Sequence, residues 1–170
     1  MKKPDLASAL GVTSPDIANA VREASRFLRE RGVRHALCGG IAVGAYARPR
    51  ATKDVDFLVG EEAFQHHGLI VVPPLSAVGN VAVDLVSLLP SLGALAPVLD
   101  APEHDGDIPV VPPQALIAMK LVAQRMQDQA DIVALLDGGA VDPDECRGWL
   151  VERGFDVAMF DRLLEKARGH

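Results

Sequence analysis

The stretch that decides the fold of this chain is Arg50-Ala51-Thr52-Lys53-Asp54-Val55-Asp56-Phe57-Leu58-Val59. Its second half is β-branched and aromatic, which predicts a short buried strand. Side chains at i and i+2 of a strand point to the same face, with Cα atoms about 6.5 Å apart, so Asp54 and Asp56 share a face. Two carboxylates this close repel each other, and a divalent cation between them would remove the repulsion. Hard carboxylate oxygens suit Mg²⁺ or Mn²⁺; the alternative is a solvated pair at a strand edge.

Upstream, Leu37-Cys38-Gly39-Gly40 predicts a strand that runs into a glycine pair and then a helix. A phosphate can approach the backbone closely only where no Cβ intervenes. The N-terminus of the following helix also offers free N–H groups and a positive dipole end. Gly39 and Gly40 are therefore candidates for a phosphate-binding turn, and the alternative is a plain tight turn.

Downstream, Val81-Ala82-Val83-Asp84-Leu85-Val86 predicts a second apolar strand that carries one carboxylate. In isolation, Asp84 would more often be an aspartate of an edge strand. Beside the Asp-x-Asp pair, it becomes a third candidate metal ligand.

In this order, the three segments resemble the nucleotidyltransferase superfamily that includes DNA polymerase β. Its pattern is a Gly-Gly or Gly-Ser turn between a strand and a helix, then Asp-x-Asp on the next strand, then a third aspartate on a later strand. The closer match is the AbiEii/MenT-like branch, whose Arg-x-Thr-x-Asp-x-Asp signature stands here as Arg50-x-Thr52-x-Asp54-x-Asp56. The resemblance covers roughly residues 33 to 135.

The resemblance implies an α/β (α+β) nucleotidyltransferase fold, with a small mixed sheet flanked by helices and a C-terminal helical portion. It implies Mg²⁺ or Mn²⁺ as cofactor and an NTP as substrate. The implied catalytic residues, which also bind the metal, are Asp54, Asp56 and Asp84. The implied nucleotide-binding residues are Gly39, Gly40, Arg50, Thr52 and Lys120.

Lys120 lies in a predicted helix, 115–123, that is apolar on nearly every side and should be buried. A lysine there needs an anion or a route to water. It resembles the lysine that reaches the nucleotide phosphates in the AbiEii-like branch. The segment 125–132 resembles that branch's Arg-x-Lys-Asp-x-x-Asp-Ile, except that Gln127 stands where a lysine is usual. A structural ion-pair cluster explains this segment almost as well.

The 170 residues suit one domain, which we divide into a catalytic core with an N-terminal helix (1–112) and a helical portion packed on it (113–170). The net charge of −6 argues against a general polyanion binder. Two cysteines are too few for a disulfide framework and lack zinc spacing. We expect a cytoplasmic protein without a membrane span, because no secretory signal and no apolar run of about 18 residues is present.

The remaining patterns predict the order of elements. Helices are expected at 14–31, 41–47, 143–153 and 156–168, with one long helix or two with a bend at 114–137. Strands are expected at 33–38, 54–59, 68–72, 80–88 and 107–111, with a helical turn at 61–65 and a polar loop at 103–106. His66 and His67 are interpreted as solvent or rim residues, because adjacent side chains on a strand point to opposite faces.

The sequence therefore predicts an enzyme that transfers NMP from an NTP to a hydroxyl acceptor. In the AbiEii/MenT-like branch, which often contains toxins of toxin–antitoxin pairs, the acceptor is the 3′ end of a tRNA or a protein side chain, so an antitoxin is a possible partner. The alternative is a catalytically silent protein of this fold that binds a nucleotide or a partner. The acceptor, the base preference and the oligomeric state are left open.

Overall fold

The computed structural model describes residues 1–65 and 77–168. One mixed sheet lies at its centre. Its strands are β1 (His35–Cys38), β2 (Asp54–Val59), β3 (Ala77–Val78), β4 (Val81–Ser87), β5 (Glu103–Asp105) and β6 (Ile108–Val110). They are ordered β3-β4-β2-β1-β6-β5. β2 pairs antiparallel with β1 and parallel with β4, β1 pairs parallel with β6, and the two outer strands are antiparallel to their neighbours.

Helices surround this sheet. Within the described ranges they are α1 (Leu6–Gly11), α2 (Pro15–Glu30), α3 (Gly39–Tyr46), α4 (Glu62–Gln65), α5 (Ala96–Asp100), α6 (Pro113–Ala123), α7 (Met126–Asp137), α8 (Pro143–Glu152) and α9 (Ala158–Arg168). A 3₁₀ turn, Gly93–Leu95, precedes α5. Pro15 occupies the first helical position of α2, where its missing N–H costs nothing. The predicted α2 is thus confirmed to within a residue at each end.

The core is built mainly from aliphatic side chains, as the low aromatic content predicts. Val55, Phe57, Leu58 and Val59 of β2 are fully buried. They belong to one apolar cluster that also includes Leu116 of α6 and other residues beyond position 112. The C-terminal helices therefore pack directly on the part that carries the sheet. The division at residue 112 stays a prediction.

The predicted polar loop at 103–106 is wrong. Glu103–Asp105 is strand β5, paired antiparallel with β6. Gly106 turns the chain between them with φ of +56°, a left-handed conformation that glycine adopts at little cost. One further result of this turn is that Asp105 accepts a hydrogen bond from the backbone N–H of Leu6 at the start of α1. A side chain distant in sequence thereby fixes α1, a helix that the sequence patterns did not predict.

The pattern at 114–137 resolves into two helices. α6 ends at Ala123, Gln124 adopts a left-handed conformation with φ of +56°, and α7 begins at Met126. This break turns α7 so that it packs against α6. The bend matters because it brings the polar side chains of α7 to Lys120.

The predicted strand at 68–72, with His66 and His67, lies outside the described residues. None of the helices in the described ranges is long and apolar enough to cross a membrane.

Candidate active site

Three aspartates share one face of the sheet. β2 and β4 run parallel, and their register pairs Asp56 directly with Asp84 and Asp54 with Ala82. Paired residues of adjacent strands point to the same face, and so do residues two apart on one strand. Asp54, Asp56 and Asp84 therefore lie together, although Asp84 comes from a separate part of the chain.

The environment of Asp56 disfavours its negative charge. Burial, then the charges of Asp84 and Asp54, raises the pKa of Asp56 to about 6, while Lys120 and Arg125 act weakly in the opposite direction. Among the described residues, no lysine or arginine forms an ion pair with any of the three carboxylates. The cluster thus carries uncompensated negative charge, which a cation would relieve.

Gly39 makes room for the Asp56 carboxylate. It lies at the start of α3, directly after β1, with φ of +68°. A Cβ added at Gly39 would lie 2.1 Å from Oδ2 of Asp56, so any larger residue would displace the carboxylate. The glycine pair is therefore part of the helix and not a loop before it, and α3 begins two residues earlier than predicted.

Arg50 and Thr52 approach the second glycine. A Cβ on Gly40 would lie 3.2 Å from Nη2 of Arg50 and 3.5 Å from Oγ1 of Thr52. The segment between α3 and β2 therefore folds back over the N-terminus of α3. This brings a guanidinium and a hydroxyl next to the turn that the sequence singles out as a phosphate-binding candidate.

Lys120 lies in a buried ion-pair network. Its Nζ donates to Oδ1 of Asp128 at 3.0 Å and lies 2.8 Å from Oδ2 of Asp131. Asp131 also accepts from Nη2 of Arg50 at 3.3 Å and from Nε2 of Gln127 at 3.0 Å. The lysine is only 7% exposed, so it does not extend to bulk water. Asp128 and Asp131 of α7 therefore supply the negative charge that the buried Lys120 requires.

Arg125 completes this network from the outside. Its Nε donates to Oδ2 of Asp128 at 2.9 Å, and its backbone N–H donates to the same oxygen at 3.0 Å, which caps α7. Burial would raise the pKa of Asp128, but the bonds from Arg125 and Lys120 outweigh it, and the pKa is lowered. The structural ion-pair cluster that the sequence offered as an alternative for this segment is therefore present.

These groups line one cleft of about 450 Å³, within the usual range for a small-molecule site. All eight residues that the sequence predicts as site residues line it: Gly39, Gly40, Arg50, Thr52, Asp54, Asp56, Asp84 and Lys120. The sequence did not predict the apolar side of the cleft, which consists of Val86, Leu92, Leu116, Met119, Val122 and Ala123. Nothing in the sequence separates these residues from ordinary core positions.

Three carboxylates that share one face are chemically suited to bind a hard divalent cation. The raised pKa of Asp56 points the same way, because its ionised form is destabilised by burial and by the neighbouring carboxylates. In the described part of the chain, no group of three or more histidine, cysteine, aspartate or glutamate side chains is arranged so that it could hold a metal ion as it stands. A metal at this position would therefore require the side chains of the aspartates to turn toward it.

The sheet order, the helix after β1 and the flanking helices define a nucleotidyltransferase-like fold. One solved structure to which it is similar is the crystal structure of an antigenic nucleotidyltransferase-like protein from Paracoccidioides brasiliensis. The TM-score is 0.50 at 14% sequence identity, over 75% of this chain and 77% of that chain. An identity this low shows the fold alone, and it confirms the predicted fold class.

No protein-family model matches the sequence, and no curated protein matches it. The AbiEii/MenT-like branch therefore stays a prediction.

Proposed function

We propose that this chain is a metal-dependent nucleotidyltransferase that transfers NMP from an NTP to a hydroxyl acceptor. The observation that carries the proposal is the direct pairing of Asp56 with Asp84 on parallel strands, with Asp54 on the same face and Gly39 against the Asp56 carboxylate. A strand face that gathers three like charges around the partly buried Asp56, without a protein cation, is costly unless a ligand compensates it.

Asp54, Asp56 and Asp84 would hold Mg²⁺ or Mn²⁺ in this proposal. Such an ion supplies charge neutralisation at the transferred phosphoryl group and orients the triphosphate. Asp84 is exposed at the cleft and is the carboxylate that we assign to accept the proton of the attacking hydroxyl. Asp54 and Asp56 would act as metal ligands only.

The triphosphate would lie against the N-terminus of α3. Gly39 and Gly40 carry no Cβ that would block its approach, and the first turn of a helix presents free N–H groups. Arg50 is 40% exposed and Thr52 is partly exposed, so both can contact a phosphate from the solvent side. The ammonium of Lys120 is shared by Asp128 and Asp131, so a phosphate contact from Lys120 would require it to exchange one of these carboxylates for the phosphate.

The acceptor in this proposal is a hydroxyl on a macromolecule, either the 3′ end of a tRNA or a protein side chain, and the chain acts as the toxin of a toxin–antitoxin pair. The support is the resemblance of the Arg50-x-Thr52-x-Asp54-x-Asp56 signature to that branch. Expression of the wild-type chain alone should then arrest growth, and the Asp56→Asn variant should not.

The enzymatic proposal is tested by incubating the purified chain with Mg²⁺, each of the four labelled NTPs, and either total tRNA or lysate protein. We expect pyrophosphate release together with label on the acceptor. Asp56→Asn should reduce the rate at least about a hundredfold, because it removes a proposed metal ligand. Asp16→Asn, at an exposed aspartate in the first turn of α2, is the matched control and should leave the rate unchanged.

Undiminished activity in Asp56→Asn would remove the proposed site. Label without dependence on Mg²⁺ or Mn²⁺ would contradict the proposed role of the aspartates.

A second candidate function is binding of a nucleotide without turnover. It is favoured by one observation: among the described residues, the three cations that line the cleft, Arg50, Lys120 and Arg125, are already paired with Asp128 or Asp131. A silent binder would gain thermal stability with NTP and Mg²⁺ but would release no pyrophosphate with any acceptor. Thermal shift and pyrophosphate assays on the same sample separate the two functions.

A further inference from the structure

The guanidinium of Arg50 lies beside the glycine turn and is tied to α7 at the same time. Its Nη2 is the heavy atom nearest to a Cβ added at Gly40, at 3.2 Å. The same Nη2 lies 3.3 Å from each carboxylate oxygen of Asp131. In the proposed function, a phosphate of the NTP lies at this turn. The guanidinium is therefore held by a carboxylate at the edge of the position that the phosphate would take.

The contact between Arg50 and Asp131 is weak enough to be exchanged. Both N···O distances are 3.3 Å, whereas charge-assisted hydrogen bonds of this kind are usually about 2.7–2.9 Å long. The side chain of Arg50 is also 40% exposed. Because water competes for an exposed guanidinium, such a pair adds little net stability.

Asp131 keeps other partners when Arg50 leaves. Its side chain is only 3% exposed, so a carboxylate without donors would be costly there. Lys120 lies 2.8 Å from Oδ2, and Nε2 of Gln127 donates to Oδ1 at 3.0 Å, so each oxygen retains one partner. Lys120 is less free to leave, because it is shared by two buried carboxylates, Asp128 and Asp131.

Arg125, the other arginine of the cleft, is held at a different place. Its Nε donates to Oδ2 of Asp128 at 2.9 Å, at the N-terminus of α7. The heavy atoms nearest to a Cβ on Gly40 belong to Arg50 and Thr52. Arg50 is therefore the cation that is placed to exchange a carboxylate for a phosphate at the glycine turn.

We propose that Asp131 is an internal competitor of the phosphate. It holds Arg50 when no phosphate is bound, and Arg50 exchanges this carboxylate for a phosphate when the NTP binds. Gln127 is a positioning residue, because it keeps a donor on Asp131 after the exchange. This inference rests on the proposed function, which takes the triphosphate to lie at the glycine turn. The affinity of the cleft for phosphate then depends on Asp131, although Asp131 does not line the cleft.

The test is a double-mutant cycle on the Kd of inorganic tripolyphosphate, measured by calorimetry with Mg²⁺. It combines Arg50→Gln with Asp131→Asn, which removes the charge of the competitor and keeps its size. In the wild type, Arg50→Gln should weaken binding about tenfold, because it removes a charge-assisted hydrogen bond. In Asp131→Asn, the same change should weaken binding about two- to fivefold more, because Arg50 no longer has to give up a carboxylate there.

Asp128→Asn is the matched control for the cycle. It removes another buried carboxylate of α7, which pairs with Lys120 and Arg125 and not with Arg50. A general effect of one lost negative charge on anion binding does not depend on Arg50, so it cancels in the cycle. The effect of Arg50→Gln should therefore be the same in Asp128→Asn as in the wild type.

A second set of variants tests the exchange without changing any charge, and it decides the question if Asp131→Asn does not fold. Gln127→Met should weaken tripolyphosphate binding about two- to threefold, because Asp131 would keep Lys120 alone once Arg50 leaves. In the Arg50→Gln background it should have no effect. Gln129→Met, at a glutamine of α7 that does not line the cleft, is the control and should change binding in neither background.

A smaller effect of Arg50→Gln in Asp131→Asn than in the wild type would show that Asp131 orients Arg50 toward the phosphate, and would overturn the inference. An unchanged effect would overturn it too, and so would an equal effect of Gln127→Met with and without Arg50. Pyrophosphate release by the same wild-type sample tests the proposed function separately and would leave it intact in these cases. A wild type that binds neither tripolyphosphate nor any NTP would overturn both.

Discussion

Asp56 and Asp84 occupy directly paired positions of the parallel strands β2 and β4, so their carboxylates project from the same face of the sheet. Had the register differed by one residue, Asp84 would point to the opposite face. The pairing converts two separate sequence motifs into one acidic surface beside Gly39.

Replacing Asp56 by asparagine should stabilise the metal-free protein. Burial and the neighbouring carboxylates raise the pKa of Asp56 from 3.8 to about 6, so near neutral pH the ionised form opposes folding. The amide carries no charge, and we expect the free energy of unfolding to rise by about 1–2 kcal/mol after screening by solvent. Denaturation in EDTA measures the change. Asp16→Asn should give no gain, and an equal gain in both variants would contradict the prediction.

His35 should make the fold less stable as the pH falls. Its Nε2 lies 2.9 Å from Oγ of Ser25, its Nδ1 lies 2.8 Å from the backbone oxygen of Val33, and burial lowers its pKa below 6.5. The unfolded chain therefore takes up the proton first, and stability that is present above pH 6.5 is lost as the pH falls through the lower folded value. Asp56 acts in the opposite sense, so Tm against pH is best measured in the Asp56→Asn background.

In that background, adding His104→Gln, at an exposed histidine, should preserve most of the loss at low pH, because the charge of His104 is the smallest of the causes that lower the pKa of His35. Adding His35→Gln should reduce it. An unchanged pH profile in the His35 variant would show that another group causes the loss.

A side chain at position 39 should disrupt the acidic surface. In Gly39→Ala, the new Cβ would meet Oδ2 of Asp56 at 2.1 Å, and the residue would have to keep a φ of +68°. We expect a loss of about 1–3 kcal/mol in the free energy of unfolding and a loss of any activity that uses Asp56. Urea denaturation and pyrophosphate release measure the two effects.

Gly106→Ala measures the loss of stability that comes from the left-handed backbone conformation alone. Gly106 has a φ of +56°, and an added Cβ would meet no atom within 4 Å, so the variant keeps the strain without the contact. It should lose stability but not activity. If Gly39→Ala were no more harmful than Gly106→Ala, the close approach to Asp56 would have no consequence.

Lys120→Met should be strongly destabilising. It leaves Asp128 and Asp131 buried without the ammonium that lies 3.0 and 2.8 Å from them. Breaking a buried ion pair from one side costs about 3–5 kcal/mol. Arg125→Gln also removes a partner of Asp128, but Arg125 is 74% exposed, and we expect a loss below about 1 kcal/mol.

Adding Asp128→Asn to Lys120→Met should recover part of this stability, because it removes one of the stranded charges. A strictly additive loss in the double variant, measured by urea denaturation, would show that Lys120 and Asp128 are not coupled.

The order of elements follows largely from local patterns. Pro15 and the apolar spacing predict α2, the β-branched run predicts β2, and Gly138-Gly139 predicts the end of α7. The prediction failed for Glu103–Asp105, because a short polar edge strand carries no apolar alternation and forms only through pairing with β6. The sequence also did not decide between one long helix and two helices at 114–137, because no proline or glycine marks the bend at Gln124.

The candidate residues could be selected from the sequence because their spacing is meaningful by itself. Asp54 and Asp56 share a face on any strand, and Gly39 and Gly40 admit a close ligand at any turn between a strand and a helix. The partners of Lys120 could not be assigned in this way. Its contacts with Asp128 and Asp131 depend on the angle between α6 and α7.

By itself, the sequence determined which residues carry charge, which segments are apolar enough for the core, and which side chains share a face within one element. These are local properties, fixed by residue type and by the periods of helix and strand. Only the tertiary structure decided that Asp84 lies beside Asp56, that the charge of Lys120 is neutralised, and that apolar side chains of α6 line the same cleft as the aspartates. Those relationships join distant segments, and strand register and helix packing determine them.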